Sequence, residues 1–133
     1  MPTTGRELTR IACVEDEPDL RRICELTLSR LGGFEVQVYA DGPSALAGLA
    51  AFAPDLVLLD VMMPGLDGPA VLAELRARPS LAALPVAFMT AKAQPAEIAR
   101  FRALGACDVI VKPFDPMTLS ERVRRIWAEL EEP

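Results

Sequence analysis

The chain has 133 residues, enough for one domain that buries its own core without disulfides or a structural metal. Hydrophobic residues make up 51% and charged residues 25%, the balance of a soluble globular protein and not of a disordered one. A net charge of −5 argues against direct nucleic-acid binding and against anionic lipid, and the lack of histidine excludes histidine metal sites and histidine-based catalysis.

Cys13, Cys24 and Cys107 are widely spaced, odd in number and without a CxxC pair, so they read as small buried apolar residues in a reducing compartment. Residues 1–9 contain nothing resembling a signal peptide, and no run approaches the roughly 20 apolar residues of a membrane span. The expected location is the cytoplasm, with no membrane contact.

Thr9 to Val14 is a short apolar run leading into Glu15, Asp16 and Glu17. Pro18 suits the first turn of a helix, whose buried face is Leu20, Ile23, Cys24, Thr27, Leu28 and Leu31 until Gly32 and Gly33 stop it. Phe34 to Tyr39 is a second strand. Asp41 can cap the next helix, with Ala45, Leu46, Leu49 and Phe52 inward and Pro54 ending it. Asp55 to Asp60 holds four aliphatics in a row and closes on a carboxylate, a strand buried on both faces. Met63-Pro64-Gly65 breaks it, since proline biases its predecessor away from helix and glycine permits positive φ.

A short third helix runs from about Pro69 to Arg76, with Val71, Leu72 and Leu75 inward. Pro85 to Thr90 is a fourth strand. Pro95 opens a helix that Gly105 ends, facing Ile98, Phe101 and Leu104 to the core. Val109 to Val111 is a minimal fifth strand. Asp115 and Pro116 supply the N-cap and first-turn proline of a last helix striped by Leu119, Val123, Ile126, Trp127 and Leu130, with Trp127 as a core edge. Five strands alternating with five helices predict an α/β fold, doubly wound, with a parallel sheet covered on both faces. It is expected to form one domain over residues 1–133, its core at about residues 9–130, with no room for a second.

Four of the five strands end on polar side chains: Glu15 and Asp16, Asp60, Thr90, and Lys112. In a parallel sheet all carboxyl ends share one edge, where open α/β sheets bind ligands, so these residues are expected to converge. Three carboxylates in one crevice repel, and either one takes a proton or a cation neutralises them. With oxygen ligands only, the expected cation is Mg²⁺, octahedral at roughly 2.0–2.1 Å. Lys112 and Thr90 offer a charge and a hydroxyl to an incoming phosphoryl group, and an aspartate can be its nucleophile.

The order Glu15-Asp16, Asp60-Val61-Met62-Met63-Pro64-Gly65, Thr90-Ala91 and Lys112-Pro113-Phe114 resembles the CheY-like receiver domain of bacterial two-component response regulators, from about Thr9 to Leu130. The resemblance implies a (βα)5 flavodoxin-like three-layer sandwich with strand order 2-1-3-4-5. It implies phosphorelay signalling, in which Asp60 accepts a phosphoryl group from a sensor histidine kinase or histidine phosphotransfer protein and switches protein contacts. Asp16, Asp60 and the backbone carbonyl of Met62 would bind Mg²⁺, with Glu15 acting through water. Thr90 would hydrogen-bond the phosphoryl group and act as the switch, and Lys112 would ion-pair with it, its bond to Pro113 being cis. Ala91 is small enough to leave access. Such a domain is a regulatory phosphoacceptor, not an enzyme in its own right, although it promotes its own phosphorylation and dephosphorylation. The downstream target and any homodimer stay open.

One position departs from the family pattern. Val109 stands three residues before Lys112, where the family usually has an aromatic whose swing follows that of the threonine. Chemistry at Asp60 should be untouched, while the usual readout is put in question. The alternative reading is a pseudo-receiver, a protein-binding module that works without phosphorylation; none of the acceptor, acids or lysine is missing. A haloacid-dehalogenase-like phosphatase would need a second acid where Met62 stands, and a flavin module would want a phosphate cradle where Glu15-Asp16-Glu17 would repel one.

Overall fold

Proline and glycine place most of the element borders. The computed structural model describes residues 6–131, and readings on residues 1–5 and 132–133 lie outside it. The strands are β1 (Arg10–Val14), β2 (Glu35–Tyr39), β3 (Leu56–Asp60), β4 (Val86–Thr90) and β5 (Asp108–Val111). They alternate with helices α1 (Pro18–Leu26), α2 (Gly42–Phe52), α3 (Gly68–Arg76), α4 (Pro95–Ala103) and α5 (Leu119–Glu131). Four helices start on a proline in their first turn, and α2 and α3 are capped by Asp41 and Asp67, which accept from Ser44 and Ala70 N–H groups.

All strand pairs are parallel, in the order β2-β1-β3-β4-β5. Every residue of β3 and β4 is buried, as continuous apolar runs require when helices cover both faces. The period-2 alternation divides the core. Ile11, Cys13, Leu56, Leu58, Ala87 and Met89 pack with Cys24, Leu28, Leu119, Val123 and Ile126 on the α1/α5 side. Ala12, Val14, Val57, Leu59, Val86 and Phe88 pack with Ala45, Leu49, Val71, Leu75 and Phe101 on the α2–α4 side. Each fully buried leucine of β3 contributes about 2 kcal/mol. Trp127 sits at the edge of the core and donates from Nε1 to the Arg6 carbonyl at 3.0 Å.

Three expectations shift. The stripe of α1 does not run true to its end, because Thr27–Leu31 winds as a π-helical turn. The wider turn rotates the chain relative to a 3.6-residue period, so Leu31 is 58% exposed while Gly32 is buried. Ile23, at 40%, also lies at the rim of that stripe and not inside it. Leu104 is exposed because α4 stops at Ala103 and the chain leaves the helix there. Finally, α5 starts at Leu119, not at Pro116. Asp115 caps a preceding turn, accepting from the Met117 N–H at 2.9 Å, and that turn leads into the helix.

Among the described residues, no helix is long and apolar enough to cross a membrane.

Candidate phosphorylation site

Register brings the polar strand ends level. Val14 pairs with Leu59, Asp60 with Met89, and Thr90 with Val111, so Glu15, Asp60, Thr90 and Lys112 arrive together at the carboxyl edge. Glu15, Asp60 and Lys112 also share the alternation of the α1/α5 face, whereas Thr90 follows that of the opposite face. Lys112 can therefore reach from β5 across β4 to β3 and β1. Its Nζ lies 2.7 Å from Glu15 Oε1 and 2.9 Å from Asp60 Oδ1.

The loop after β3 is shaped by two glycines. Gly65 takes φ +76°, which L side chains rarely adopt. Gly68 packs so close to β3 that a Cβ there would lie 2.6 Å from the Asp60 carbonyl oxygen. This fold-back leaves the Met62 N–H donating to Asp60 Oδ1 at 3.3 Å, with the Met62 side chain 68% exposed. The Lys112–Pro113 peptide bond is cis.

Glu15, Asp16 and Asp60 each place a carboxylate oxygen within 4.8 Å of the others. Glu15 is 1% and Asp60 2% exposed, and both share the single ammonium of Lys112. One cation does not balance three acids. Burial pushes the Glu15 carboxyl up to about 7, against hydrogen bonds from Lys112 and the Glu17 N–H that pull it down. Burial likewise raises Asp60 above its ordinary value despite Lys112. Burial alone would lower Lys112, but its hydrogen bonds to Glu15 and Asp60 outweigh that and hold it above its ordinary value. Such a set of hard oxygen donors with excess negative charge fits a small divalent cation.

Thr90 is 2% exposed, and its Oγ1 accepts from the Lys92 N–H at 3.1 Å, which leaves the hydroxyl proton free to be donated. Ala91 beside it is exposed. Val109 is buried in the α2–α4 side of the core and is not one of the carboxylate cluster. Sequence reasoning missed two residues. Arg21 donates from Nη1 to the carbonyls of Glu15, at 2.9 Å, and Asp16, at 3.4 Å. Asp108, at the opposite end of β5, is buried between Arg102 and Arg122. An arginine in the first turns of α1, where the helix dipole disfavours a cation, was the available signal for Arg21.

Comparison with known proteins bears on the same edge. Residues 11–124 match the response regulator receiver domain family. A probable transcriptional regulator, ycf27, of Cyanophora paradoxa is 42% identical over 93% of this chain and 50% of its own length. The DNA-binding response regulator MtrA of Mycolicibacterium smegmatis is 38% identical over 93% of this chain and 53% of its own. The chain thus spans about half the length of these curated relatives. Among solved structures, the chemotaxis protein CheY4 of Vibrio cholerae superposes with a TM-score of 0.82 at 29% identity, covering 90% of this chain and 99% of that one. A putative response regulator from Chloroflexus aurantiacus gives 0.81 at 32% identity, covering 92% and 99%.

The relatives correct one expectation. Net charge argued for no direct nucleic-acid binding, yet proteins 38–42% identical to this chain over the matched half of their length are named as a DNA-binding or transcriptional regulator. A net charge sums over one segment's whole surface. Contact with phosphates depends on local basic groups, here or elsewhere in a protein twice this length, so the sum excludes nothing. The residue order at the sheet edge, the strand order and the family match agree: the chain belongs to the response regulator receiver domain family and serves phosphorelay signal transduction.

Proposed function

We propose that Asp60 is the phosphoacceptor of a Mg²⁺-dependent switch charged by a sensor histidine kinase or histidine phosphotransfer protein. The observation that carries this reading is the occupancy of the Asp60 carboxylate. Both hydrogen bonds it accepts from N–H groups among the described residues fall on Oδ1, from Lys112 and Met62, which leaves Oδ2 to attack. The Oδ2–P bond forms as the P–N bond of a phosphohistidine breaks, and the departing imidazole keeps the electron pair and takes a proton. Lys112 would turn its ammonium from the carboxylates to a phosphoryl oxygen, and Thr90 would donate its hydroxyl proton to another. Asp16, Asp60 and the Met62 carbonyl would hold Mg²⁺, with Glu15 assisting through water. Bound there, the ion would neutralise charge on the transferring oxygens.

The same positioning would serve attack by water, so the domain promotes both its phosphorylation and its dephosphorylation, with no further turnover. Residues 1–133 form one receiver domain with its core at about residues 9–130, acting in the cytoplasm. By likeness to relatives named as transcriptional and DNA-binding regulators, its output is read at the level of transcription. Val109 cannot swing a ring, so the state of Thr90 reaches the partner surface through another side chain.

The test is intact mass after incubation with acetyl phosphate and Mg²⁺, beside Asp60→Asn. The expected result is a gain of one phosphoryl group, lost in the variant and with EDTA. No gain in the wild type, or equal gain in the variant, overturns the assignment.

A further inference from the structure

Of the three carboxylates, two are tied directly. Glu15 accepts from Lys112 Nζ and from the Glu17 N–H at 3.1 Å, and Asp60 accepts from Lys112 Nζ and the Met62 N–H. The Asp16 side chain accepts no N–H donor among the described residues, although its place beside Asp60 is what brings a third acid into the cluster. Its backbone, by contrast, is clamped. Arg21 is the fourth residue of α1, and helical side chains lean toward the N-terminus, so its guanidinium lies back over the loop from β1. There Nη1 donates to the Glu15 carbonyl at 2.9 Å and to the Asp16 carbonyl at 3.4 Å. These carbonyls belong to the peptide planes on either side of the Asp16 Cα. Holding both planes fixes φ and ψ of Asp16, and with them the direction of its Cα–Cβ bond.

The helix itself does not need this arginine. Glu17 caps α1 by accepting from the Asp19 and Leu20 N–H groups, and Pro18 opens it. A cation near a helix N-terminus stands where the dipole disfavours it. Nor does Arg21 neutralise the acids: among the described residues Lys112 makes the ion pairs to Glu15 and Asp60, and Arg21 makes none. The half-buried guanidinium spends its hydrogen bonds on main-chain oxygens and leaves the Asp16 carboxylate free for a cation.

We propose that Arg21 is a positioning residue that aims the Asp16 carboxylate at the divalent cation by bridging the two carbonyls flanking the Asp16 Cα. This rests on the reading of the site as a Mg²⁺-dependent phosphoacceptor.

The experiment is calorimetric titration of Mg²⁺ into the wild type, Arg21→Met, Arg21→Lys and Arg22→Met, with urea unfolding of each in EDTA. Partners that orient metal ligands are worth 10- to 100-fold in affinity, so Arg21→Met should weaken Mg²⁺ binding about tenfold. Arg21→Lys keeps N–H donors on a shorter reach and should recover most of the loss, to about threefold. Arg22 is exposed and neighbours Arg21 on α1, and its variant should match the wild type. At saturating Mg²⁺ the rate of phosphoryl gain by Arg21→Met should return to near the wild-type rate, separating lost affinity from lost chemistry. Affinity within twofold of wild type in both Arg21 variants overturns the proposal, as does a loss that Arg22→Met shares. Should Arg21→Met not fold, Arg21→Lys decides on the same terms. If the wild type binds Mg²⁺ but gains no phosphoryl group, the phosphoacceptor reading fails while the titration still judges Arg21.

Discussion

Two buried aspartates at opposite ends of the sheet have been settled in opposite ways. Asp60 is 2% exposed and shares one ammonium with Glu15, and burial raises its affinity for a proton. Asp108 is 8% exposed, at the start of β5. Its Oδ1 lies 3.1 Å from Arg102 and 3.1 Å from Arg122, and it accepts from its neighbour's N–H, that of Val109, at 2.8 Å. Burial would push Asp108 up too, but the Arg122 hydrogen bond, the Val109 N–H and the two guanidinium charges win, and its carboxyl sits below its ordinary value. One site is left short of positive charge and the other is oversupplied. Structural carboxylates are fully paired. On the proposed reading, the site of Asp60, which would receive a cation and a phosphoryl group, keeps its deficit at a cost in stability.

That contrast can be broken by supplying what the first site lacks. Mg²⁺ at 100 times its dissociation constant should raise the unfolding free energy by about 2.7 kcal/mol, and EDTA should remove the gain. Urea unfolding with and without Mg²⁺ checks this; no stabilisation would mean that the deficit at Glu15, Asp16 and Asp60 is not a cation site.

Substitution should sharpen it. Asp108→Ala leaves two guanidinium groups and the Val109 N–H without their acceptor and should cost about 2 kcal/mol. That is less than a fully buried pair would lose, because the Arg102 side chain is 53% exposed. Asp60→Asn removes one acid from a crowded set and should stabilise the metal-free protein by about 1 kcal/mol. Opposite signs in parallel denaturation curves are the expected outcome; equal losses would sink the comparison.

The smallest effect lies in the pH profile of the metal-free protein. The folded-state value of Asp108 is lowered, so its contribution is present above its ordinary value of 3.8 and is lost as the pH falls through the folded value. Glu15 is raised from 4.5 to about 7, so stability is full below 4.5 and declines as the pH rises through about 7. Glu15→Gln should flatten the neutral limb and Asp108→Ala the acid limb. Denaturation across pH in EDTA would show whether each variant alters only its own limb.

Much of this was open to reading from the chain alone, and the reason is the same at each point. Prolines and capping aspartates act on their own backbone, so Asp41, Pro18, Pro95 and Gly65 mark their borders wherever the chain goes. The continuous apolar runs of β3 and β4 state their burial directly. Polar residues closing four strands converge because a parallel sheet has one carboxyl edge, so Glu15, Asp16, Asp60, Thr90 and Lys112 could be named before any coordinates.

What escaped depends on partners far along the chain. The π-helical turn that exposes Leu31 brings Gly32 against Ser120 of α5, where a Cβ would lie 2.6 Å from its Oγ. Asp108 looks like any acid beside a short strand until α4 and α5 deliver their arginines. Arg21 looks like its exposed neighbour Arg22 on α1 until its side chain meets the end of β1. Local sequence determined the elements, their order and which polar residues meet at the carboxyl edge, because those follow from backbone preference and alternation. Only tertiary structure decided how much charge each buried acid receives, because that is set by distances between side chains as much as 97 residues apart, as between Lys112 and Glu15.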